Sequence, residues 1–403
     1  MTLPKSSTAG PASGPDDPVA REIGERLRDA LRREIAARGG FLPFVDYMQQ
    51  ALYAPGLGYY VNGAHKLGAG GDFVTAPELS SLFGETLALW LSPILRDDLE
   101  GRGTLLEFGA GSGRLAGDVI RTLREQGIAW ERYAIVEVSP DLRERQRTWL
   151  AELLEPEDFA RVEWLDALPA GPLRAVVLAN EVLDALPVEL FRWRDHRVWQ
   201  LGIAEDDNEA LVLAERPAPA ALAEPVAALQ ARYGPWPEGY TSEWRPAQAA
   251  WIASLAERLE RGVVWLADYG FPQSAYYAPE RHQGTLVGYH RQQMILDPLA
   301  APGLMDLTAS VDFTGVSEAA RAAGLEVAGY AAQGEFLLAA GLPQRFEARV
   351  GDASDARATM QAAQAVRMLT LPGEMGERFQ VMVLARDCRH LPLQGVPDRR
   401  ARL

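Results

Sequence analysis

Thr104-Leu-Leu-Glu-Phe-Gly-Ala-Gly-Ser-Gly113 is the stretch whose reading decides the fold. Leu105, Leu106 and Phe108 form a short apolar run that reads as a buried strand. Three alternating glycines follow, and an amphipathic helix is expected over 114–126. Glycine has no Cβ, so backbone and ligand can approach closely at Gly109, Gly111 and Gly113. The helix start adds unpaired N–H groups and a partial positive charge. A strand running through such a turn into a helix is built to hold a nucleotide-like cofactor.

Outward from this stretch, strands (133–138, 162–165, 175–180, 263–268) alternate with helices such as 140–153. That alternation predicts an α/β fold with a parallel, doubly wound sheet. Two further strands are expected at Leu325–Ala332 and Phe379–Arg386.

The glycines fit two registers. From Gly109 the pattern is G-x-G-x-G, and Arg114 breaks the dinucleotide form; from Gly111 the looser G-x-G-x-x-A form ends on Ala116. The second register keeps an NAD-binding oxidoreductase open. Three acids favour S-adenosylmethionine instead. Glu107 lies two residues before the first glycine, where it suits the cationic amino-acid end of that cofactor. Glu137, at the tip of the second strand, can accept both ribose hydroxyls, and Asp166, at the tip of the third, is a candidate for the adenine amino group.

Asn180, Glu181 and Asp184 emerge from the fourth strand and are the candidate catalytic group. If a helical turn follows, Glu181 and Asp184 fall on one side of it. Two carboxylates there can clamp a guanidinium in a fork and accept its proton. The plainer alternative is that Asn180 and Asp184 only cap a following helix. Glu78 and Glu85, seven apart, fall on one helix face if helical throughout and read as exposed helix acids, and Asp268 and Tyr269 follow the fifth strand as candidate lining of an acceptor channel.

These residues sit in separated motifs that together resemble the MidA-type family of class I S-adenosylmethionine-dependent methyltransferases. The motifs are Gly71-Asp-Phe-Val-Thr-Ala-Pro-Glu78 with Phe83-Gly-Glu85, the glycine loop, Ala179-Asn-Glu-Val-Leu-Asp-Ala-Leu-Pro187, Ala267-Asp-Tyr-Gly270 and Asp306-Leu-Thr-Ala-Ser-Val-Asp-Phe313. The resemblance spans about Gly40 to Arg386 and includes a mitochondrial complex I assembly methyltransferase among its members. It implies a Rossmann-like sheet ending in an antiparallel hairpin, S-adenosyl-L-methionine as cofactor, and a protein acceptor. Arginine is the favoured side chain and a respiratory-complex subunit one candidate partner. Tyr289, His290 and Arg291 resemble a family loop over the active site, and the family pattern makes Glu78 and Glu85 candidates for the cleft edge. Two positions depart from the family pattern: Ser81 stands where glutamine is usual and Ser310 where histidine is usual. The second departure keeps open an assembly or binding factor that retains fold and cofactor without transferring methyl.

Residues 1–18 read as a disordered tail, rich in Pro, Ser and Gly. An N-terminal helical lid over the sheet is expected at 19–100, the first part of the methyltransferase core at 101–188, and the second part at 263–390. Between them, 189–262 is longer than a normal connection and is expected to be an inserted α+β subdomain overhanging the cleft.

A formal net charge of −15 argues against a phosphate-tracking nucleic-acid surface. Cys388 is the single cysteine, so an internal disulfide and a zinc cluster are excluded, and a reducing cytoplasm is the simplest compartment. The histidines lack metal-ligand spacing, and an 18-residue apolar run, needed for a membrane span, is absent from the sequence.

Overall fold

The computed structural model describes residues 18–62, 75–290, 293–351 and 356–403. Residues 1–17 of the expected tail, residues 71–74 of the Gly71–Glu78 motif, and Arg291 lie outside the described residues.

Seven strands form the main sheet: β1 (Thr104–Phe108), β2 (Arg132–Val136), β3 (Val162–Leu165), β4 (Leu173–Asn180), β5 (Leu259–Phe271), β6 (Glu326–Ala332) and β7 (Phe379–Arg386). Their spatial order is β6-β7-β5-β4-β1-β2-β3, with Val311–Asp312 added beside the end of β5. The pairs β3–β2, β2–β1, β1–β4 and β4–β5 are parallel. Strand β7 runs antiparallel to both β5 and β6, giving the hairpin that the resemblance implies.

The strands are apolar on both faces because helices cover both. Leu105, Val176 and Val263 join one core cluster, while their neighbours Leu106, Val177 and Val264 join the other. That division follows from the two-residue period of a strand. The chain travels outward from β1 to β3 and then returns to place β4 on the other side of β1. The loops after β1 and β4 therefore diverge across a crevice at the carboxyl ends, where open α/β sheets bind ligands.

Among the described residues, none of 189–262 lines the cleft at that crevice. Glu189–Arg194, Arg197–Glu205, Leu211–Pro217 and Tyr240–Trp244 build a separate antiparallel sheet, which Leu42–Pro43 extends. The helices Pro18–Ala37 and Phe44–Tyr53 bury Leu27, Leu31, Tyr47 and Leu52 against Leu190, Leu201 and Ile203 of this second sheet. They are not a lid on the main sheet, as expected, because their apolar stripe already has a partner. From the N-terminal region, Tyr53, Tyr59 and Tyr60, at and just beyond the end of the second helix, with Thr75, Pro77 and Glu78, reach the cleft. A small third sheet (Val287–His290, Gln293–Ile295, Asp306–Thr308) closes the other side. Among the described residues, no helix is long and apolar enough to cross a membrane.

Candidate functional site

One cleft lies over the crevice between β1 and β4, and it has two chemically different ends. At the first end β1 stops at Phe108, the turn starts at Gly109 and the helix Arg114–Glu125 follows. Gly109, Gly111 and Gly113 have φ of 61°, 57° and 84°, a left-handed backbone that favours glycine. The turn thus begins in the Gly109 register. Gly109 and Gly111 line the cleft, whereas Gly113 serves the helix start, with Gln146 beside its Cα.

Glu137, 4% exposed, lines the cleft just past the end of β2. Its carboxylate accepts the Ser139 N–H at 2.9 Å and the Gln146 amide at 3.1 Å. Burial pushes this carboxyl up, against the pull of those donors. Two fixed oxygens facing a cradle with no Cβ fit a ribose diol. Val138 and Leu142 add an apolar wall that suits a nucleobase, a feature that sequence reasoning missed. Glu107 also lines the cleft and accepts the Tyr133 hydroxyl at 2.7 Å; burial lifts its carboxyl to about 7.

Asp166 does not join this end. Its side chain is 94% exposed and pairs at 2.7 Å with Arg143, whose guanidinium also binds the Leu165 carbonyl. Glu78 lines the cleft, yet it grips the glycine loop rather than an acceptor, through Ser112 Oγ and Arg114 Nε. Glu85 is buried beneath Arg345 and Arg349. Burial raises its carboxyl, but these guanidiniums and the Ser81 hydroxyl hold it below the usual range. It is a structural ion pair between helices Ser81–Pro93 and Leu342–Gly351, outside the cleft. The unusual Ser81 belongs to this cluster.

The second end gathers Tyr53 and Tyr60, the loop Asn180–Ala185, Tyr269 and Asp306. Residues 181–188 form turns rather than a helix, so Asp184 caps nothing. Glu181 has φ of 55°, a strained conformation for a non-glycine residue. Asp268 does not line the cleft. It is 1% exposed and accepts the backbone N–H groups of Leu183 and Asp184, which fixes the loop beyond β4. Burial, with Asp184 and Glu181 nearby, pushes its carboxyl well up. Arg245 supports the same loop from behind, donating to the carbonyls of Leu183, Ala309 and Ser310.

At this end the hydroxyl protons are committed within the protein. Tyr53 donates to the Ala185 carbonyl at 3.0 Å and Tyr60 to Asp306 Oδ1 at 2.8 Å. Tyr269 shares its hydroxyl with Thr308 Oγ1 at 2.9 Å, and Thr308 donates to Asp184 Oδ2 at 2.6 Å. The Asn180 amide donates to Glu181 Oε1 at 3.1 Å. Asp184 Oδ1 and Asn180 Oδ1 remain buried with no hydrogen-bond partner among the described residues. Burial, then Asp184, lifts the Glu181 carboxyl to about 8. This end presents acceptors, negative charge and ring faces, and so suits a ligand made of donors and positive charge.

Sequence reasoning missed Tyr53, Tyr60, Asp306 and Thr308. Aromatics in the Tyr53–Tyr60 loop and the Asp306–Phe313 motif were the available signals. The expected family loop contributes scaffolding: His290 holds the Leu304 carbonyl at 2.8 Å, and Tyr289 sits across from Asp306 in the small sheet. Ser310 does not line the cleft; its backbone N–H donates to Thr285 Oγ1. Among the described residues, no group of His, Cys, Asp and Glu is arranged to hold a metal.

Residues 86–331, more than half of the chain, match the family model described as "Putative S-adenosyl-L-methionine-dependent methyltransferase". A superfamily member from Burkholderia thailandensis, whose crystal structure holds S-adenosyl-homocysteine, is 40% identical. It aligns over 98% of this chain and 100% of its own, with a TM-score of 0.89. The Drosophila melanogaster protein named protein arginine methyltransferase NDUFAF7 homolog, mitochondrial, is 31% identical over 92% of this chain and 88% of its own. Its Mus musculus counterpart is 30% identical over 93% and 87%.

Proposed function

The chain belongs to the MidA-type family of S-adenosyl-L-methionine-dependent methyltransferases, with S-adenosyl-L-methionine as its cofactor, and from that premise we propose that it methylates an arginine side chain of a protein. One observation carries the reading. The acceptor end of the cleft has spent its hydroxyl protons internally and leaves Asp184 Oδ1 and Asn180 Oδ1 without donors. A guanidinium is a donor-only cation with five N–H groups in a planar fork, and it supplies what those oxygens lack. The names of the fly and mouse relatives favour the same side chain.

When bound, the cofactor supplies an electrophilic methyl group on a sulfonium with a good leaving group, so the protein's task is positioning. Glu137 and the turn at Gly109–Gly111 hold the nucleoside end, and Glu107 faces the amino-acid end. Glu181 and Asp184 orient the guanidinium between the rings of Tyr60 and Tyr269. Asp184 Oδ1 takes the proton that the attacking nitrogen loses as its C–N bond forms. The second departure from the family pattern, Ser310, lies outside the cleft, which favours transfer over a binding-only role. The acceptor is a protein, with a respiratory-complex subunit one candidate, and the cytoplasm is the compartment that a lone cysteine suits.

Comparing methylated arginines across the proteome of cells with and without the gene tests this reading. Loss of a defined methylarginine on deletion is the expected result. An unchanged methylarginine set, with loss of methyl groups from some other residue, sinks the arginine assignment.

A further inference from the structure

The Asp306–Phe313 motif enters the cleft as the strand Asp306–Thr308, and Thr308 touches the candidate machinery without lining the cavity. Asp184 is held at three points. Its N–H donates to Asp268 Oδ2 at 3.2 Å, its carbonyl accepts the Ala309 N–H at 3.1 Å, and its Oδ2 accepts Thr308 Oγ1 at 2.6 Å. The first two fix only the backbone. Rotation of a carboxylate about its terminal torsion is soft, so the Thr308 hydroxyl is what fixes the orientation of the Asp184 carboxylate. That hydroxyl is itself a rotor, and Tyr269, 2.9 Å away, fixes it by occupying its acceptor side. With its own proton on Asp184 Oδ2, Thr308 is left to accept that of Tyr269, and Asp184 Oδ1 is buried with no hydrogen-bond partner among the described residues.

We propose that Thr308 is a positioning residue for methyl transfer, aiming Asp184 Oδ1 at the acceptor nitrogen through a hydroxyl chain that starts at Tyr269. The inference rests on the reading of Asp184 as the carboxylate that faces the acceptor. It adds a role for a residue that does not line the cleft. The competing explanation is packing, since Thr308 is fully buried in a strand, where a β-branched side chain fits well.

Two substitutions separate these explanations. Thr308→Val keeps the shape and removes the hydroxyl; Thr308→Ser keeps the hydroxyl and removes the methyl. The readout is single-turnover transfer of labelled methyl from S-adenosyl-L-methionine to proteins of an extract from cells lacking this enzyme. Affinity for S-adenosylhomocysteine and the thermal midpoint are measured beside it, and hydrolysis identifies the labelled residue. Positioning predicts that Thr308→Val slows transfer by about tenfold or more while cofactor affinity stays within about twofold, and that Thr308→Ser recovers to within about threefold of wild type. Packing predicts the reverse order, and that order overturns the proposal, as does a wild-type rate in Thr308→Val. Should Thr308→Val fail to fold, Tyr269→Phe, which removes the proton that fixes the rotor, must slow transfer several-fold; a wild-type rate there also overturns it. Label found on a residue other than arginine defeats the arginine reading alone and leaves this comparison intact. A wild-type enzyme that binds cofactor and labels nothing overturns both.

Discussion

The two ends of the cleft are built on opposite principles. At the cofactor end the polar groups are satisfied before any ligand arrives. Glu137 is tied to Ser139 and Gln146, and its recognition surface is a turn whose glycines hold a left-handed backbone. At the acceptor end the donors are consumed and two buried oxygens are left over. The first end is a finished cradle for a ligand that is always the same. The second carries a deficit of donors and an excess of negative charge, which only the right side chain relieves. Specificity in such a site comes from the cost of leaving buried polar groups unpaired, about 1–3 kcal/mol each.

The largest expected effect is at the finished end. Gly111 lines the cleft with φ of 57°. Gly111→Val puts a branched side chain into a backbone conformation it strongly disfavours and into the ligand's space. Calorimetry with S-adenosylhomocysteine should show binding weakened by more than about 100-fold, roughly 2.7 kcal/mol or beyond. Ordinary affinity in a folded variant would mean the turn is only structural.

At the unfinished end, Asp184→Asn separates binding from chemistry. The amide oxygen can still accept the Thr308 proton, so stability should hold. The new NH2 takes the place of an acceptor-only oxygen that has no hydrogen-bond partner among the described residues. Cofactor affinity should stay near wild type while single-turnover transfer falls by about 100-fold or more. A wild-type rate removes Asp184 from the chemistry. The loss at Glu137 is of the other kind: Glu137→Ala should weaken S-adenosylhomocysteine about tenfold to 100-fold, as expected for losing about 1.5–3 kcal/mol of charged hydrogen bonding.

How legible each end is from sequence follows from its construction. The proposed cofactor end is local: a strand, a turn and a helix start within Thr104–Arg114, plus the tip of the next strand, so its construction can be read from spacing. So is the parallel sheet, since each strand is an apolar run set off by helices. The acceptor end draws on residues 53–60, 180–185, 269 and 306–308, and no periodicity links such distant segments. Glu85 and Asp166 were misread for one reason. A carboxylate's partner, here Arg345 or Arg143, decides whether it serves a ligand or the scaffold, and sequence spacing is silent on it. For the inserted region, length predicts a subdomain but not which face it covers.

The charge excess at the acceptor end should also appear in stability against pH, as a graded effect. Glu181 has its folded value raised to about 8 from an ordinary 4.5. A carboxyl raised on folding binds its proton more tightly in the native state. Its contribution is therefore fully present below about 4.5 and is lost as pH rises through about 8. Denaturant titrations of the ligand-free protein across that window should show midpoints falling with pH. The slope should be shallower in Glu181→Gln, which has no proton to lose. An identical slope in the variant would mean that Glu181 is already ionised and solvated.

The smallest effect is expected where sequence reasoning had placed the adenine contact. Asp166 belongs by position to the cofactor end, at the tip of β3, yet its side chain stands 94% in solvent and is paired with Arg143. Surface ion pairs of this kind contribute little. Arg143 also keeps its bonds to the Glu137 and Leu165 carbonyls without it. The wall proposed for the nucleobase is instead apolar, from Val138 and Leu142, and neither depends on the Asp166 carboxylate. Asp166→Ala should therefore change S-adenosylhomocysteine affinity by less than about twofold, with Glu137→Ala in the same titration showing that the assay can register a loss. A tenfold weakening in Asp166→Ala would mean that the strand tip turns inward when cofactor binds, and that the cofactor end is not finished in advance after all.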